Sequence, residues 1–118
     1  MSPRNWQTRI EDMLTCIHNV QSFVTGMTYD DFFEDTKTIH AEAFELSILG
    51  EAARAAPESV RLRFPEIPWG KMQEIRNVII HEYYRIDEEI LWKTVQNDLE
   101  PLVLQLEAIL ETDQTNQS

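Results

Sequence analysis

With 118 residues and 42% hydrophobic content, the chain has apolar material for one core and leaves no room for a second domain of ordinary size. Acidic side chains outnumber basic ones 21 to 10, a formal net charge of −11, so the long-range field repels nucleic acid and any RNA contact needs a local basic pocket or a partner's positive charge. The single cysteine, Cys16, excludes an internal disulfide and suits a reducing compartment. Residues 1–6 lack a signal-peptide core and no apolar run approaches the roughly 20 residues of a membrane span, so the expectation is a cytoplasmic chain with no membrane partner.

Only three glycines occur, and apolar residues recur at spacings of three and four without sustained alternation, which predicts an all-helical fold. The first helix can begin with Ser2 as cap and Pro3 in its first turn. It carries Trp6, Ile10, Met13, Leu14, Ile17, Val20 and Val24 on one stripe until Gly26 stops it. Tyr29, Phe32 and Phe33 fall on a short acidic turn or helix. A second long helix is predicted over residues 36–55, with Ile39, Ala43, Leu46, Leu49, Gly50 and Ala53 forming a flat, close-packing face.

Pro57, Pro65 and Pro68 punctuate the next stretch and leave room for one or two helical turns over residues 58–64. Pro68 suits the first position of a helix running through Met72, Ile75, Val78 and Ile79 to about Tyr83. Asp87 can cap a last helix that turns Ile90, Leu91, Val95, Leu99, Leu102, Leu106 and Ile109 inward, with a kink over residues 97–101 imposed by Pro101. The pattern reads as a four-helix-type up-and-down bundle with one or two short accessory helices. One domain occupies residues 1–110, and residues 111–118 make a polar, frayed tail.

Candidate chemistry narrows quickly. His18, His40 and His81 have no second His or Cys at ligand spacing, so neither a metal site nor a cofactor is expected. Pairs such as Asp30-Asp31 and Glu88-Glu89 are acids favoured at helix starts, and no glycine-rich phosphate loop is present. What remains is Arg76-Asn77-Val78-Ile79-Ile80-His81-Glu82-Tyr83. An imidazole that moves a proton near neutral pH, together with a guanidinium that stabilises charge on phosphoryl oxygens, is what RNA cleavage without a metal requires. On an ideal helix, however, Arg76 and His81 lie about 140° apart. Either the helix loosens near His81, or a second copy completes the site across a twofold interface, which is the favoured alternative. The plain competing reading has Arg76 paired with Glu74 or Glu82, His81 ending its helix and Tyr83 packing.

Arg76-Asn77 followed by His81-Glu82-Tyr83 resembles the Arg, four residues, His, any residue, Tyr signature of HepT-like toxins of the HEPN superfamily. Ile48-Leu49-Gly50-Glu51-Ala52, Pro65-Glu66-Ile67-Pro68-Trp69 and Trp92-Lys93-Thr94-Val95-Gln96-Asn97-Asp98-Leu99 stand in the order of that branch. The resemblance implies a homodimeric bundle with sites between protomers. It also implies a toxin that cleaves RNA, tRNA or mRNA, without metal, and an antitoxin of the minimal nucleotidyltransferase type. By residue it implies that Arg76 and His81 are catalytic, that Asn77 supports them, and that Tyr83 receives AMP from the antitoxin. Phe44-Glu45 stands where family members often carry Arg-Asn.

Two functions follow. One is a toxin ribonuclease with a cleft made locally basic by Arg76, Arg85, Lys71 and Arg54. The other is a non-catalytic nucleotide-binding or scaffolding module paired with a nucleotidyltransferase, which the acidic charge favours. On an ideal helix Tyr83 stands two turns from Arg76 on the same face, where an attached AMP would pair with the guanidinium and block RNA.

Overall fold

A computed structural model describes residues 5–81 and 85–117. Helices α1 (Asn5–Phe23), α2 (Tyr29–Phe33), α3 (Thr36–Ala55), α4 (Glu58–Arg63), α5 (Trp69–Ile79), α6 (Glu88–Lys93) and α7 (Leu99–Gln117) account for most of them, and none of the described residues belongs to a strand. The all-helical expectation holds, and the arrangement is compatible with a four-helix bundle whose fourth member is the composite of α6 and α7. No helix among the described residues is long and apolar enough to cross a membrane.

Helix α3 is the centre. It packs along its length against α1 on one side and α5 on the other. Its predicted stripe is the buried one, with Ile39, Ala43, Leu46, Leu49, Gly50 and Ala53 all inside. Gly50 is required by closeness: a Cβ there would stand 3.0 Å from the Met72 carbonyl oxygen and 3.3 Å from Ile75 Cγ2, so its absence sets the α3–α5 spacing. Helix α1 buries Ile10, Met13, Leu14, Ile17 and Val20 as its periodicity requires, and it ends in a turn that buries Val24 and gives Gly26 φ +81°. The proposed cap at Ser2 and Pro3 lies outside the described residues. Helix α2 begins with a reciprocal capping box between Thr28 and Asp31, and its Phe32 and Tyr29 rings pack on Trp92 of α6, tying the last helix to the front of the bundle.

Three boundaries differ from the sequence reading. Pro68 stands just before α5 as its cap residue rather than inside its first turn. The strain of Pro101 is met by a π-helical turn over Thr94–Asp98, immediately before α7, in place of a simple kink. A proline cannot donate to the carbonyl of Asn97 and its ring crowds it, and a widened turn relieves both. Helix α7 carries on to Gln117, past the point where the polar composition suggests the tail begins. The fourth difference, the early end of α5, bears on function.

Candidate functional site

Helix α5 ends at Ile79, not near Tyr83. Ile80 adopts φ −108°, ψ 118°, which is extended backbone, after donating the last helical hydrogen bond to Arg76 O at 2.8 Å. Val78-Ile79-Ile80 is a β-branched run that gives up side-chain freedom in a helix, so the intrinsic preference for continuing is low. Tertiary bonds then settle the matter. His81 N donates to Arg85 O at 2.7 Å, Asp87 N donates to Ile79 O at 2.8 Å, and Ile80 and Ile86 form an isolated antiparallel bridge. The chain doubles back, satisfying groups that a longer helix would have satisfied internally.

This reversal changes the geometry of every predicted residue. The 140° separation computed for an uninterrupted helix does not apply to Arg76 and His81, because His81 lies two residues beyond the helix. Tyr83 lies outside the described residues. Arg76 is exposed in the last turn of α5, with no hydrogen bond or ion pair among the described residues. Glu74, one of its two suggested partners, instead accepts from Asn77 Nδ2 at 3.1 Å, so Asn77 is held on the exposed side of the helix.

His81 is brought to Asp87. Its Nε2 lies 3.4 Å from Asp87 Oδ2, and the two side chains are 41% and 30% exposed. Asp87 uses its other oxygen to accept from Ile90 N at 3.0 Å, capping α6. That backbone donor is the main cause holding the Asp87 carboxyl below the usual carboxylate range, partly opposed by burial and reinforced by His81. The cap was legible in the sequence. The contact with His81 was not, because it exists only once the chain has reversed.

An apolar cleft lies elsewhere. A groove of about 610 Å³ runs between α5 and the π turn with α7, floored by Leu49, Met72, Leu99 and Leu102 and walled by Lys71, Val78, Asn97 and Gln105. Neither Arg76 nor His81 lines it. At about 100° per residue, Arg76 stands about 160° around α5 from Val78, so Arg76 and this wall of the groove lie on opposite flanks of the helix.

The pair Phe44-Glu45, where the sequence departs from the resembled pattern, is also described. Phe44 is exposed on the outer face of α3, while Glu45 is half-buried towards α1, where its charge and a hydrogen bond help burial push the Cys16 thiol up to about 12. Glu45 therefore serves the α1–α3 seam. One group was missed outright: Glu42 is fully buried, and neither of its carboxyl oxygens has a hydrogen-bond partner among the described residues. Burial and then the Glu45 charge push its carboxyl up to about 8. Its place three residues after Ile39 and four before Leu46 puts it on the buried stripe, and that was the available signal. Among the described residues no three His, Cys, Asp or Glu side chains converge as a metal-binding group.

The family described as ribonuclease HepT-like matches residues 13–109. The chain is 35% identical over 99 residues to "Probable ribonuclease HepT" of Thermococcus cleftensis, covering 84% of this chain and 90% of that protein. It is 31% identical over 111 residues to "Putative RNase MJ0127" of Methanocaldococcus jannaschii, covering 94% and 92%. A second protein of that organism, "Putative RNase MJ1380", is 32% identical over 109 residues, covering 92% of this chain and all of its own length. No solved structure matches.

Proposed function

The chain belongs to the ribonuclease HepT-like family, and from that premise we propose that it is a metal-independent endoribonuclease whose reacting groups are Arg76 and His81, with Asn77 in support. The observation that carries this reading is the break after Ile79. It frees an exposed imidazole from the helix that bears the guanidinium while main-chain bonds hold its base in place. His81 takes the proton of a ribose 2′-hydroxyl as that oxygen attacks the neighbouring phosphorus. The bond from phosphorus to the 5′-oxygen breaks, leaving a cyclic phosphate on one fragment and, after protonation, a 5′-hydroxyl on the other. Arg76 stabilises the negative charge that builds on the phosphoryl oxygens. A twofold homodimer would place two such sets in one cleft, the second imidazole supplying the proton to the leaving oxygen.

In this reading the protein is the toxin of a cytoplasmic toxin–antitoxin pair. Its antitoxin is a minimal nucleotidyltransferase that attaches AMP to Tyr83, adding negative charge and bulk beside the site. The direct test is cleavage of tRNA and mRNA by the purified protein with chelator present. Cyclic-phosphate ends lost in both Arg76→Ala and His81→Ala support the proposal, and activity that requires a divalent ion refutes the chemistry. The net charge of −11 favours one other reading, a non-catalytic scaffold for the nucleotidyltransferase. That reading expects no growth arrest when the chain is expressed alone, whereas the toxin reading expects arrest that His81→Ala relieves.

A further inference from the structure

Asp87 occupies a position that a helix cap alone does not require. Three contacts from three directions fix it: its N–H donates to Ile79 O, its Oδ1 accepts from Ile90 N, and its Oδ2 faces His81 Nε2 at 3.4 Å. The first contact ties Asp87 to the last residue of α5 and the second to the first turn of α6. Asp87 is therefore held at its backbone by α5 and at its carboxylate by α6, the two elements that flank the reversal bearing His81, and its two oxygens do different work. His81 is fixed at its backbone by Arg85 O, and its exposed ring has Asp87 as its one side-chain partner among the described residues.

We propose that Asp87 is a positioning residue for His81, accepting a hydrogen bond from Nε2–H and so leaving Nδ1 as the nitrogen that moves the proton in RNA cleavage. The inference rests on the ribonuclease reading for its catalytic half. A neutral imidazole carries one N–H, and an anionic acceptor beside Nε2 selects the tautomer with the hydrogen there. Nδ1 then keeps its lone pair and stands free to take a proton from the attacking hydroxyl. When it does, the ring becomes a cation beside a carboxylate, and the pair is stabilised as the charge forms. The 3.4 Å separation is at the long end for a hydrogen bond, as is common for catalytic contacts before substrate closes the site.

The experiment separates this role from capping. Asparagine caps a helix about as well as aspartate, so Asp87→Asn keeps the cap and removes the anionic acceptor, whereas Asp87→Ala removes both. In full-length protein with 15N-labelled histidine, the His81 signals are identified by their loss in His81→Ala. The neutral ring should show the Nε2–H tautomer in the wild type and a shift towards the mixed tautomer in Asp87→Asn. Cleavage by Asp87→Asn should fall about tenfold to a hundredfold in kcat, with KM within about twofold and the melting temperature close to that of the wild type. A wild-type ring in the Nδ1–H form, or ring signals unchanged by Asp87→Asn, overturns the proposal whether or not RNA is cleaved. Full kcat in Asp87→Asn alongside an inactive His81→Ala overturns it while leaving the ribonuclease reading intact. An active His81→Ala protein sinks the assignment of His81 as the reacting base and the catalytic half of the proposal with it.

Discussion

Two carboxylic acids show how differently this small protein treats one functional group. Glu42 is fully buried on α3 with no hydrogen-bond partner among the described residues, and its carboxyl is pushed up to about 8 by burial and by Glu45. Asp87 is partly open at the edge of the bundle, is bonded through both oxygens, and is held below the usual carboxylate range chiefly by the Ile90 N–H. The first is neutral at neutral pH and costs stability when it ionises. The second is anionic and aimed at an imidazole. A perturbed acid marks a functional site only when geometry supplies something for it to act on.

The largest effect should come from the open edge. Arg76→Ala and His81→Ala should each lower RNA cleavage by about two to four orders of magnitude. Both side chains are exposed, so their melting temperatures should stay close to the wild type's. Loss of folding in either variant would break the distinction between edge and core.

The core should respond in the opposite way. Because the folded state raises the Glu42 carboxyl from 4.5 to about 8, the folded protein binds that proton more tightly than the unfolded chain. Its contribution to stability is therefore fully present below about pH 4.5 and is lost as pH rises through about 8. Glu42→Met removes the group, so the variant's advantage over the wild type should grow between pH 5 and pH 9 to on the order of a few kcal/mol, with cleavage unchanged. Parallel pH profiles for the two proteins in chemical denaturation would contradict the burial of Glu42.

Gly50→Ala tests the seam between the two regions. The added methyl meets the Met72 carbonyl at 3.0 Å, a backbone atom that cannot swing aside, so α3 and α5 must part. A loss of about 1 to 3 kcal/mol is expected, in the range for overpacking. Stability equal to the wild type's would show that the helices yield freely there.

The smallest stability effect is the cap. Asp87→Ala should cost about 1 kcal/mol through the lost bond to Ile90 N, and Asp87→Asn much less. Since Asp87 is held below its ordinary range, the stability its charge contributes is present above that range and fades as the medium is acidified through it. The wild type's margin over Asp87→Ala should therefore shrink in acid, the reverse of the Glu42 profile, and urea titrations at pH 3 and pH 7 check the sign.

Much of this could be read before any coordinates. The stripe of α1, the full extent of α3, the short helices around it and the cap at Asp87 all follow from spacing, proline and small polar residues, which act over a few positions of chain. Arg76, Asn77 and His81 stand out in the sequence as candidates, because their types and order carry the proposed chemistry and the family resemblance. Glu42 was passed over, since a glutamate is assigned to solvent by habit even when its position lies between Ile39 and Leu46 on a buried face.

The sequence by itself therefore determined which residues are helical, which faces are apolar and which side chains hold reactive groups, because periodicity and local preference are properties of neighbouring residues. Tertiary structure decided where α5 stops, that Glu45 serves the α1 seam, and that His81 meets Asp87 while Arg76 turns away from the apolar groove. The reason is physical. A helix of β-branched residues is nearly balanced between continuing and ending, and hydrogen bonds from His81 to Arg85 and from Asp87 to Ile79 tip that balance, although they form only after the chain has folded back on itself.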